Sequence, residues 1–151
     1  MKRCFLAFLL TLNASFSYAD WEVVEVETGY PNSYGLAENS GKDVTLSVMC
    51  VGKNGPHIIL MAIFKEFETD TVSVSWRTNE VLGEPSNWKV IEQEPSLVAQ
   101  AMANPKLART LYESLKRAKT MQVSFLDKMN AQIPLDNFAT ASREFDRKCG
   151  F

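Results

Sequence analysis

His57 is the only histidine of the chain and follows Gly55-Pro56 at the start of an apolar run. A catalytic imidazole needs a nucleophile beside it, and no Gly-x-Ser-x-Gly elbow is present to supply one. One histidine also excludes multi-histidine zinc sets. His57 is therefore read as a loop-edge residue. Glu66, Glu68 and Asp70 alternate along a polar stretch and could present three carboxylates on one side. A Ca²⁺ site needs more oxygens than that, closely spaced on a glycine-containing loop. A charged hairpin tip that discourages edge pairing accounts for them better. Gly52-Lys53-Asn54-Gly55 lacks the Gly-Lys-Ser/Thr element of a phosphate loop and joins strand to strand. No catalytic residue, metal or cofactor is assigned on these grounds.

Binding is the chemistry left. Arg77 lies on the polar face of a strand otherwise lined by Ser73 and Ser75, where it either binds an acidic ligand or pairs with Glu66 or Glu68 across a hairpin. Trp76 continues the apolar face of Val72 and Val74 and reads as core. Trp88 emerges from a loop, so its ring is a candidate stacking surface. Lys106, Arg109, Lys116, Arg117 and Lys119 make residues 105–119 basic against the single acid Glu113, a patch fit for an acidic partner or for simple solvation. The binding candidates are Arg77, Trp88, Lys116 and Arg117.

The elements that would hold these residues follow from periodicity. Val44, Leu46, Val48 and Cys50 share one face of a strand, and Ile58 to Phe64 is apolar on both faces, as a central covered strand requires. Val72, Val74 and Trp76 alternate with Ser73, Ser75 and Arg77, and Lys65 to Asp70 between these last two patterns reads as a hairpin tip. Trp21 to Glu27, Tyr34 to Ala37 and Trp88 to Ile91 read as further strands, Asn79 to Asn87 as a loop, and Ser96 to Met102 as a strand or irregular segment. Asn104-Pro105 is a cap followed by a first-turn proline, and Leu107, Ala108, Leu111, Leu115 and Ala118 form a helical stripe. Met121, Val123 and Phe125 return to period two, and Ala131 to Leu135 is their hairpin partner with Pro134 at its edge. Asp136 is expected to cap a final helix in which Phe138, Ser142, Phe145 and Cys149 recur on one stripe, closed by Gly150.

Lys2 and Arg3, the apolar run Phe5 to Leu12 and the small-x-small site Ser17-Tyr18-Ala19 read as a secretory signal, with cleavage near Ala19. The run is shorter than the roughly 20 residues a bilayer span needs. Cys4 leaves with the signal, and Cys50 and Cys149 are expected to pair in an oxidising compartment. Losing Lys2 and Arg3 lowers the 16 basic residues to 14 against 18 acidic ones, so residues 20–151 carry a net charge of about −4. That sign argues against nucleic acid and against an anionic membrane surface as partners. The fold class is α+β: a mostly antiparallel, sandwich-like sheet core in a single domain over 20–151, with a mid-late helix and a C-terminal helix tied on by a disulfide.

Trp21 near the start, a strand ending in Cys50, the run Ser75-Trp76-Arg77-Thr78-Asn79, Trp88, a late amphipathic helix, Met121 to Phe125 and the Phe138 to Cys149 helix together resemble the VasI/TagO-like proteins associated with type VI secretion. The invasion-associated locus B proteins are similar in plan. In those families an Asp closely follows the Arg, whereas Thr78-Asn79 follows Arg77 here. The resemblance implies a bacterial periplasmic accessory or binding protein and supplies no catalytic residue. The leading expectation is a non-enzymatic periplasmic module that contacts an envelope or secretion-apparatus protein, without membrane insertion after cleavage. The alternative is a secreted inhibitor or immunity-type protein that blocks a cell-wall or other periplasmic hydrolase, and a hydrolase built on His57 ranks third.

Overall fold

The computed structural model describes residues 20–38, 44–63, 70–93, 98–125 and 129–151. Period-two segments form β1 (Trp21–Glu25), β2 (Tyr34–Glu38), β3 (Val44–Val51), β4 (Asn54–Ile63), β5 (Thr71–Thr78), β6 (Ser86–Gln93) and β7 (Val98–Met102). Helix α1 (Pro105–Leu115), strands β8 (Thr120–Phe125) and β9 (Met129–Pro134) and helix α2 (Phe138–Cys149) follow. The strands make one antiparallel sheet in the order β1-β2-β3-β4-β7-β6-β5-β8-β9, which makes the protein an α+β fold.

One face of the sheet is apolar because the strands contribute alternate residues to it, most fully β3, β5 and β8. Val44, Leu46, Val48 and Cys50 of β3, Val72, Val74 and Trp76 of β5, and Met121 and Val123 of β8 join a single core. Ala108, Leu111, Tyr112 and Leu115 of α1 and Phe138, Phe145 and Cys149 of α2 fill it from the other side. Each fully buried large apolar side chain stabilises the fold by about 1.5–3 kcal/mol. Helix α1 packs on β4, and α2 on β1 and β2. Ile58, Ile59 and Leu60 are all buried, as a strand covered on both faces demands. No helix among the described residues is long and apolar enough to cross a membrane.

Cys50 and Cys149 form a disulfide with a Cα separation of 6.1 Å, joining β3 to the end of α2. The two residues stand 99 apart in sequence, a closure worth about 4–5 kcal/mol on the chain-entropy account.

Three expectations are corrected. First, β4 pairs with β3 and β7, and β5 with β6 and β8, so β4 and β5 are not hairpin partners, and residues 64–69 of the expected tip lie outside the described residues. Glu66 and Glu68 lie outside the described residues. Second, α1 ends at Leu115. Arg117 N donates to Ser114 O and Ala118 N to Leu115 O, a tightened last turn that releases Lys119 toward β8. Third, Asn137 and not Asp136 stands at the start of α2, in the left-handed region with φ 54°, and makes no side-chain cap.

The Asn137 amide is used elsewhere. Its Oδ1 accepts from Trp21 N at 3.1 Å, its Nδ2 donates to Trp21 O at 3.5 Å, and the Trp21 indole Nε1 donates to Pro134 O at 3.1 Å. The start of β1 therefore meets the end of β9, and side chains join the two outer strands of the sheet where no ladder does. The first and the last of the alternating strands run in the same direction, and the Trp21 to Pro134 contact brings the start of β1 to the end of β9 as a staggered meeting.

Candidate functional site

The core-facing side chains of β5, β8 and β9 leave a polar set on the opposite face. Register places Arg77 opposite Gln122 and Gln122 opposite Gln132, and in the next row Ser75 opposite Ser124 and Ser124 opposite Asn130. With neighbouring strands about 4.8 Å apart and alternate residues about 6.8 Å apart, these side chains form a floor of guanidinium, carboxamide and hydroxyl groups roughly 10 Å by 7 Å. This floor lines a groove of about 880 Å³.

The segment after β5 raises one wall of the groove. Thr78 N donates to Val81 O at 2.8 Å and Gly83 N to Trp76 O at 3.0 Å, so residues 81–83 fold back along β5 as a short extra ladder. Gly83 is required there, because a Cβ would stand 2.2 Å from Cε2 of the buried Trp76 ring. The fold-back presents Leu82, 81 % exposed, together with Glu84 and Pro85 at the rim.

Arg77 Nε donates to Gln122 Oε1, which fixes the plane of the guanidinium. Among the described residues Arg77 has no carboxylate partner, so its two terminal amino groups remain available. A guanidinium held in this way suits a bidentate acceptor such as a carboxylate. Ser75 and Ser124 are the only hydroxyls on the floor and have no imidazole beside them, since His57 lies on β4 opposite Met49. Among the described residues, no group of three or more His, Cys, Asp or Glu could hold a metal ion. The arrangement is equipped to bind.

Of the four residues read from sequence as binding candidates, only Arg77 lines this groove. Trp88 is fully buried and its Nε1 donates to Ser86 Oγ at 3.1 Å, so its ring offers no stacking surface. Trp88 stands opposite Val72 in the β5 to β6 register, and the two share the core face. Lys116 is occupied in a clamp between the helices: its Nζ donates to Asp146 Oδ2 at 2.8 Å, while Tyr112 Oη donates to Asp146 Oδ1 at 2.8 Å. Burial works against the Lys116 charge, but the hydrogen bonds to Asp146 and Glu113 outweigh it and raise its pKa. Burial, reinforced by the Asp146 hydrogen bond and charge, pushes the Tyr112 phenol well above its ordinary range. Arg117 pairs with Glu80 at 3.4 Å, both largely exposed, a contact worth little in water. Arg109 reaches Gly55 O at 3.5 Å. Arg109, Lys116 and Arg117 are thus divided among separate structural contacts.

Gln122, Ser124, Asn130 and Gln132 were not singled out from sequence. The signal for them is the alternation itself, since polar residues separated by core positions such as Met121, Val123, Ala131 and Ile133 must share the outer face. No protein-family model, no curated protein and no solved structure matches the chain.

Proposed function

We propose that this chain is a non-enzymatic accessory or binding module of the bacterial envelope, exported through the signal at residues 1–19 and working in the periplasm beside a type VI secretion system or another envelope complex. Its recognition surface is the groove over β5, β8 and β9. The observation that carries this reading is Arg77, an exposed guanidinium oriented by Gln122 on a floor of amides and hydroxyls and left without an ionic partner among the described residues. The test places a photo-crosslinking amino acid at Ser124, within the groove, and in a second variant at Lys53, outside it. A defined envelope partner should be crosslinked from position 124 only, and Arg77→Glu should abolish that product. Crosslinking from both positions, or a product indifferent to Arg77→Glu, refutes the assignment, as does turnover of a cell-wall substrate by the purified protein.

A second reading is favoured by Leu82. An exposed leucine on a wall braced against Trp76 suits an inhibitor that inserts a side chain into a hydrolase cleft. It requires a stable 1:1 complex on gel filtration with loss of hydrolase activity, both lost in Leu82→Asp.

A further inference from the structure

We infer that the partner contributes an extended segment that adds to the sheet as a further strand along β9, at Asn130 and Gln132. This rests on the binding reading of the groove and names the chemistry of its ligand: an exposed polypeptide main chain.

The argument starts from hydrogen-bond parity. Leu135 N donates to Lys119 O, and these two residues are opposite each other in the β8 to β9 register. In an antiparallel pair the bonded and non-bonded positions alternate. Ile133 and Ala131 therefore direct their main-chain groups at β8, while Pro134, Gln132 and Asn130 direct theirs away from it. Two observations agree with that parity. Pro134 occupies a position needing no ladder N–H, and its carbonyl points outward to the Trp21 indole.

The outward groups then divide sharply. Pro134 has no donor and its acceptor is occupied, so the upper end of this edge is closed. The N–H and C=O of Gln132 and Asn130 have no partner among the described residues, leaving four main-chain groups at strand spacing. The chain's other outer strand, β1, is treated differently. Val26 N donates to Ser33 O, which by the same parity turns Trp21, Val23 and Glu25 outward. The Trp21 pair is taken by the Asn137 amide, and exposed Glu22 and Glu25 flank the rest. Proteins guard free edges with proline, charge or side-chain cover. Here each device is present except at Asn130 to Gln132.

That open stretch also lines the groove. Strand addition draws affinity from the main chain and specificity from alternate side chains on the adjacent face. A segment added at β9 lays those side chains beside Gln132 and Asn130 and continues the floor by one strand. A glycan would instead need an exposed aromatic platform, and Trp76 and Trp88 are both buried.

The probe is a random dodecapeptide phage library selected on the disulfide-bonded, processed protein, followed by amide exchange with the tightest peptide. In the free protein the Asn130 and Gln132 amides should exchange quickly, and the peptide should slow both by about tenfold or more. Gln132→Pro removes the outward donor together with the floor carboxamide, and Gln132→Ala removes the carboxamide alone, so the proline should weaken the peptide by about tenfold or more beyond the alanine while the Ala131 and Ile133 amides stay protected. If those two amides lose protection in the variant, the exchange pattern of the unmodified protein decides alone. Peptides that bind without protecting Asn130 and Gln132, or a selection that yields none, overturn the inference. Protection of the same amides by self-association, without peptide, overturns the partner assignment in favour of a second copy. Arg77→Ala separates the levels: loss of binding there with Gln132→Pro unaffected leaves the groove reading standing and sinks the strand addition, and the reverse sinks the role of Arg77.

Discussion

Replacing Tyr112 by phenylalanine deletes one hydroxyl from the joint between the helices and leaves the ring contacts with Phe138 and Phe145 in place. That hydroxyl is buried and donates to Asp146 at 2.8 Å. A hydrogen bond to a charged acceptor contributes about 1.5–3 kcal/mol. Asp146 is part-exposed and keeps Lys116 at 2.8 Å, so the expected loss at pH 7 is at the low end, about 1.5–2 kcal/mol. The pH dependence gives a sharper signature. Burial first, then Asp146, raises the phenol pKa in the folded protein, whereas the unfolded phenol titrates near its usual value of about 10. A raised folded pKa means the stabilisation is complete below pH 10 and is lost as pH climbs, by about 1.4 kcal/mol at pH 11. The variant has no phenol to lose, so its deficit against the parent should shrink to a few tenths of a kcal/mol at pH 11. Lys116 also has a raised pKa and loses its contribution in the same direction, but it is present in both proteins and cancels to first order. Urea unfolding followed by tryptophan fluorescence at pH 7 and pH 11 measures both gaps. An equal deficit at the two pH values, or none at pH 7, would refute the claim that a buried, neutral Tyr112 joins α1 to α2.

Two further outcomes follow from the closures of the sheet. Asn137→Gly retains the left-handed backbone without strain and removes only the amide that serves Trp21, so urea midpoints should report a loss of about 1–2 kcal/mol. Replacing Cys50 and Cys149 together by alanine should cost about 4–5 kcal/mol on the loop-closure account, measured by urea unfolding, and the parent should lose a similar amount when unfolded under reducing conditions. A parent indifferent to reductant would refute it.

The segments were readable where a single face decides the pattern. Val44 to Cys50, Val72 to Trp76 and the Phe138 to Cys149 stripe each carry their burial in their spacing, and the inward direction of both thiols follows from the same spacing. Strand order was not readable, because the partner of β4 is β7, some forty residues on, and a polar connection reads alike whether it turns a hairpin or carries the chain to a distant strand. Asp136 and Asn137 are both good caps, and what separates them is a tryptophan 116 residues away in sequence. The groove was legible only through Arg77. Its floor comes from β8 and β9, whose glutamines and asparagine read in isolation as ordinary solvated positions, and its wall depends on Gly83 fitting against Trp76, a contact with no periodic signature.

The sulfur bridge also has a consequence in time. Cys50 is made and emerges 99 residues before the cysteine it must find. At about 5–20 residues per second, it waits roughly 5–20 s as a thiol with no correct mate available. During that interval the first strands must gather without covalent help, and any disulfide formed with another molecule has to be exchanged later. Oxidation is therefore a closing step of maturation, and a catalyst that held Cys50 as a temporary mixed disulfide would shield the chain until α2 arrives.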